Sequence, residues 1–124
     1  MTYVRFQNPL PDELGRYVGV FGLVNTLAKR RVLTEEQERF RRLNNDLYDS
    51  AYDNPAAVDA TVYDHDINPG AAAWFKPAAQ HLIDRVDGYL EILAAHGVEC
   101  VRVDSHDPGR VIYEDDHQIV VVPR

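Results

Sequence analysis

Three histidines in this chain sit among carboxylates: Asp64-His65-Asp66, Asp104-Ser105-His106-Asp107 and Glu114-Asp115-Asp116-His117. An imidazole beside a carboxylate has the makings of a general base, and two or three such groups brought together would ligate a divalent metal. All three clusters fall where the local sequence reads as turn or loop, so the chemistry depends on which of them meet in space. The standard metal signatures are missing: there is no His-Glu-x-x-His, no His-x-His and no pair of cysteines, so neither a metal nor a cofactor is predicted.

The elements that would position these groups follow from periodicity. Residues 12–31 read as a central helix, with Leu14, Tyr17, Val18, Phe21, Val24 and Leu27 on its apolar face and Lys29, Arg30 and Arg31 at its end. Gly15, Gly19 and Gly22 on it suggest close packing against a neighbour rather than a phosphate loop, since no strand precedes them and the spacing is not G-x-G-x-x-G. A second helix opens with a capping box, Thr34 with Gln37, and buries a stripe of Phe40, Leu43, Leu47 and Ala51. Its arginines are matched by Glu35–Arg39 and Glu38–Arg42 pairs four residues apart, which predicts a solvated face.

Residues 53–75 form an overlong connection, of the kind that is functional or hides short elements. Within it Asn54-Pro55 fits the start of a helical turn, and Thr61-Val62-Tyr63 fits a short strand. Asn68-Pro69 fits the start of a third helix that runs to Gly97, with Pro77 either kinking it or marking its true first turn. From Val98 the period changes to two, and Val98–Val103, Arg110–Tyr113 and Gln118–Val122 read as three strands with short connections. The predicted fold is α+β, one domain over residues 1–124: three main helices within 12–96 packed on a C-terminal three-stranded antiparallel meander over 98–122. With Arg110–Tyr113 central, four or five residues at about 3.3 Å each separate the turns carrying His106 and His117 by roughly 15 Å. Those two histidines then share no metal, and Asp64-His65-Asp66 can meet only one of them.

Composition narrows the function classes. The chain has 124 residues, a formal charge of −7 and one cysteine, Cys100, so no intramolecular disulfide supports the fold. The first nine residues carry no apolar stretch of signal-peptide length, and Val18–Val24 is too short to span a bilayer. These features predict a cytoplasmic protein with no membrane partner. Residues 1–45 hold eight Lys/Arg against five Asp/Glu, whereas residues 46–124 hold five against fifteen. That acidic second part would repel a phosphate backbone and argues against non-specific nucleic-acid binding; contact through Arg30, Arg31 and Arg41 is the weakest reading.

Two short likenesses are present. Val111–Val122, with Tyr113-Glu114-Asp115-Asp116, is similar to a hairpin of histidine-triad nucleotide hydrolases and of some pseudouridine synthases. The defining residues of both are missing, so only a hairpin is implied. Ala71-Ala72-Ala73-Trp74-Phe75, Arg85–Leu90 and Asp107-Pro108-Gly109-Arg110 resemble small acidic actinobacterial proteins of unassigned function, which implies a cytoplasmic bacterial protein and no activity.

The aromatics supply a second candidate surface. Tyr48 and Tyr52 lie one helical turn apart near the end of the second helix, and Tyr63, Trp74 and Phe75 lie in the long connection. Rigid aromatics with a polar handle suit binding sites, and a pocket is expected between that connection and the second helix, with Tyr52, Tyr63, His65 and Trp74 on its wall. Two functions follow. The first is a non-enzymatic binding or regulatory module for a protein partner or small ligand. The alternative is a small hydrolase or lyase, metal-dependent or using His65 as general base, aided by Asp64 and Asp66. The strand Gln118–Val122 is also read as an exposed edge able to pair with a second copy in a homodimer.

Overall fold

A computed structural model describes all 124 residues. The fold is α+β, with helices on one face of a five-stranded antiparallel sheet whose strand order is β3-β1-β2-β5-β4. The strands are β1 (Tyr3–Gln7), β2 (Ala72–Phe75), β3 (Val101–Ser105), β4 (Arg110–Glu114) and β5 (Gln118–Val122). The helices are α1 (Val20–Lys29), α2 (Glu35–Ala51), the short α3 (Pro55–Val58) and α4 (Gln80–Ile83), and α5 (Asp87–Ala95).

The expected three-stranded meander is therefore only partly present. β4 and β5 form a hairpin, but β3 lies at the far edge of the sheet, paired with β1. The difference has a simple origin. β1 and β2 insert between β3 and β5; β1 precedes the first element read from the sequence, and β2 lies in the part read as helical or irregular. β1 alternates Tyr-Val-Arg-Phe-Gln and buries Val4 and Phe6, a period-two pattern in only five residues. β2 falls where a helix was expected from Pro69. Pairing with β5 and β1 on its two sides outweighs the local preference of its alanines.

Burial of β5 at every position follows from the same insertion. This strand is interior, not an exposed edge, so it offers no free ladder to a second copy; β3 and β4 are the edges.

The first helix is shorter than its periodicity suggests. Asp12 Oδ1 accepts the backbone N–H groups of Leu14 and Arg16 at 2.9 and 2.8 Å, offering the backbone an alternative to helix. Gly15 takes φ 76°, and Gly19 bridges to Gln7 beside β1. Helix begins only at Val20, leaving Leu14 and Tyr17 exposed.

The second helix begins as read. Thr34 and Gln37 make both bonds of the capping box. Phe40, Leu47 and Ala51 of the expected stripe pack against the core, with Tyr48 buried beside them, whereas Leu43 is 64% exposed. Glu35 and Arg39 form no pair, while the expected Glu38–Arg42 pair is present and Glu38 also pairs with Arg41. The two guanidinium groups hold its carboxyl down at about 2.

In the long connection Asn54 caps α3, its side chain accepting from Ala56 N. Thr61–Tyr63 is turn, not strand, because Asp59 binds back onto Thr61 through both its N–H and its hydroxyl. Pro77 does mark the first turn of the third helical stretch, a 3₁₀ turn followed by α4, a second 3₁₀ turn and α5. That stretch ends at Gly97, whose φ of 69° reverses the chain.

The main core lies between the sheet and the helices, with Val4, Phe6 and Phe75 from the strands against Val24, Tyr48, Leu82 and Tyr89. A smaller cluster of Trp74, Ile119 and Val121 covers the opposite face. No helix is long and apolar enough to cross a membrane.

Candidate functional site: a cavity where the sheet splits

β1 and β2 run side by side yet share a single backbone pairing, Val4 with Phe75. Beyond that point the strands part, and carbonyls that a ladder would satisfy need other donors. Arg5 supplies them. Its Nη1 donates to the carbonyl of Ala73 at 2.9 Å and its Nη2 to that of Tyr17 at 2.8 Å, while Nε donates to Gln7 Oε1 at 2.9 Å. The guanidinium is half-buried, and that burial lowers its pKa from the usual value. No carboxylate forms a salt bridge with it.

Beside this split a cavity of about 400 Å³ opens between the sheet, α1, the C-terminal half of α2 and the 54–63 segment. Its size is at the lower end of ligand sites, which run from about 300 to 1,000 Å³. The helix side contributes Phe21, Tyr48 and Tyr52, the sheet side Phe75, and the long connection Tyr63; Trp74 borders the space while its ring packs on the opposite face of the sheet. Tyr48 is fixed by donating its hydroxyl to the carbonyl of Leu82 at 2.6 Å and by an edge-on contact with Phe21, centroids 4.9 Å apart. Tyr52 ends α2 in an extended conformation, and its ring stacks on His117 with centroids 5.9 Å apart. Burial raises the hydroxyl pKa values of Tyr48, Tyr52 and Tyr63. All three are therefore protonated and able to donate at neutral pH.

One polar side chain is buried in the floor. Gln118 is 5% exposed, and its Nε2 donates to Asp115 Oδ2 at 3.0 Å and to the carbonyl of Asp53 at 3.3 Å. With the amide nitrogen committed, Oε1 has no hydrogen-bond partner in the chain, and Gln118 is among the residues that line the cavity. Asp115 is in turn saturated, accepting from the backbone of His117 and Gln118 and from Tyr113 Oη. Desolvation pushes its carboxyl up, but those hydrogen bonds outweigh it and the net pKa is lowered.

Of the residues singled out in the sequence, Tyr52, Tyr63 and Trp74 all line this cavity. His65 does not, contrary to its expected place on the wall. Asp64, His65 and Asp66 are exposed, and Asp64 spends its carboxylate locally, accepting from Asp66 N at 2.9 Å. The physical reason is the turn itself, in which a carboxylate satisfies the chain's own N–H groups. His106 binds Thr2 Oγ1 and the Met1 carbonyl at the start of β1. It precedes β4, whereas His117 follows it, so the two lie at opposite ends of that strand. No three His, Cys, Asp or Glu side chains converge closely enough to hold a metal ion. Cys100 is half-buried, and burial pushes its thiol up to about 11, which leaves it a poor nucleophile at neutral pH.

Two residues of the site were absent from the sequence reading, Arg5 and Gln118. Each left a faint signal: Arg5 lies between the apolar Val4 and Phe6 of a two-period run, and Gln118 begins an otherwise wholly apolar strand. The cavity offers aromatic faces, one unpaired cation and one fixed amide acceptor. It holds no paired nucleophile and base. Comparison with family models, curated proteins and solved structures gave no match, so function rests on this geometry alone.

Proposed function

We propose that the protein is a non-enzymatic binding module that takes a small molecule into the cavity between the split sheet and α2. The observation that carries this reading is the cavity's lining: Tyr48, Tyr52 and Tyr63 surround a space beside a guanidinium with no carboxylate partner. Native cores are packed with few voids larger than a water molecule. A walled space of this size with convergent polar groups is the usual form of a ligand site. The lone, disulfide-free Cys100 favours the cytoplasm as its setting. A protein partner is the second reading, favoured by Val58 and Ile67 of the same segment, which are 60% and 57% exposed.

Trp74 is the only tryptophan; it borders the cavity while its ring packs with Ile119 and Val121, so its emission is an indirect readout. A fragment screen by thermal shift and Trp74 emission is expected to give saturable hits that disappear in Ala73→Leu, which puts a larger side chain on the cavity wall. Hits that persist unchanged in Ala73→Leu, or none from a diverse library, would count against a small-molecule site.

A further inference from the structure

Resting on that reading of the cavity, we infer that its ligand is a small aromatic monoanion, a single ring system bearing a carboxylate that pairs with Arg5. A guanidinium has five N–H donors. Arg5 directs three of them at neutral acceptors, the oxygens of Gln7, Ala73 and Tyr17. One N–H on each terminal nitrogen therefore remains without an acceptor in the chain. Those three bonds also anchor the group, so its orientation is set before any ligand arrives. A half-buried, desolvated and pre-oriented guanidinium is the arrangement in which a charge-assisted bond to a carboxylate is strongest.

The surroundings limit the charge and the shape of the partner. Gly19 packs against the guanidinium, and a Cβ there would lie 3.1 Å from Nη2, so its missing side chain keeps this space open. Asp49 is exposed on the cavity's wall. Arg5 is the one cation among the residues that line the cavity and Asp49 the one carboxylate, so a carboxylate brings Arg5 a single matching charge, while a doubly charged phosphate would leave an excess negative charge facing Asp49. A cationic ligand would have only the exposed Asp49 to pair with, and exposed pairs contribute little. Much of the remaining wall is aromatic, which suits a flat ring, and Gln118, whose Oε1 has no partner in the chain, lines the same space.

The test uses the full chain and three probes with one ring and different charge: phenylacetate, phenylacetamide and phenethylamine, with acetate as the head group alone. Their rings leave Trp74 free to be excited selectively. Phenylacetate is expected to bind tightest, at least about tenfold over the amide, with no saturable binding by the amine or by acetate. In Arg5→Met the preference for carboxylate over amide is expected to vanish. Should that variant fail to fold, Arg5→Lys, which keeps the charge and loses the fork, is expected to weaken phenylacetate binding more than amide binding. Amide or amine binding as tightly as phenylacetate would overturn the inference while leaving a small-ligand site standing. Failure of all probes, with fragment hits elsewhere in the library that Ala73→Leu removes, would overturn it in the same way.

Discussion

The layer between helices and sheet has two ends that differ sharply in packing. At one end α5 presses so closely on α2 that a Cβ on Gly88 would sit 2.1 Å from Phe40 Cζ. There Tyr89 is fully buried, with its ring 5.2 Å from that of Phe40 and its hydroxyl 2.8 Å from Asn45 Oδ1. At the other end the last turns of α2 stand off from β1 and β2 and leave about 400 Å³ open. One helix takes part in both. A chain that packs one end to the limit has the side chains to fill the other, so the open end reads as a retained feature and not as loose folding.

The largest expected effect belongs to the packed end. Gly88→Ala forces the Phe40 ring to move, and overpacking of this kind destabilises by about 1–3 kcal/mol. Denaturant unfolding is expected to show that loss, with fragment binding at the open end unchanged in the folded fraction.

Next comes Asp115, which holds Gln118 in the cavity floor. Its folded pKa lies below its ordinary value of 3.8. The stability it contributes is therefore complete above that value and is lost as pH falls through the folded pKa. Asp115→Asn is expected to melt below the native chain at pH 7 and to converge with it under acid, while a gap that stays constant to low pH would remove Asp115 from this role.

Ala73→Leu is expected to change stability by less than about 1 kcal/mol, since it adds volume where space exists, yet to abolish binding. A loss as large as that of Gly88→Ala would mean the open end is as full as the packed one. The smallest effect is expected from His65→Ala and Asp66→Ala. Both side chains are exposed, so changes within about 0.5 kcal/mol and intact binding are expected.

The legible and illegible parts of this protein divide by range of interaction. Short-range chemistry was readable: the Thr34–Gln37 capping box, the Asn54-Pro55 turn, Gly97 at the end of α5 and the β4–β5 hairpin all depend on neighbours in sequence. The acid–histidine loops announced chemistry they do not assemble, because Asp64 and Asp115 spend their carboxylates on nearby backbone. What escaped were long-range pairings. β1 and β2 are held by partners about forty to a hundred residues away in the chain, and no local pattern specifies such a partner. Arg5 became visible only once β1 and β2 were placed, since its role is to serve carbonyls where their ladder fails. Tyr52, Tyr63 and Trp74 were conspicuous as aromatics, but their meeting around one space depends on the same two strands.

The central claim is that binding belongs to the open end and not to the histidine loops. Backbone amide shifts followed by NMR during a phenylacetate titration test it most directly. The expected result is a saturable set confined to the cavity, at Arg5, Tyr52, Tyr63, Trp74 and Gln118, with Asp64–Asp66 and His106 unmoved. Saturable shifts centred on Asp64–Asp66 or His106, with the cavity amides silent, would contradict it.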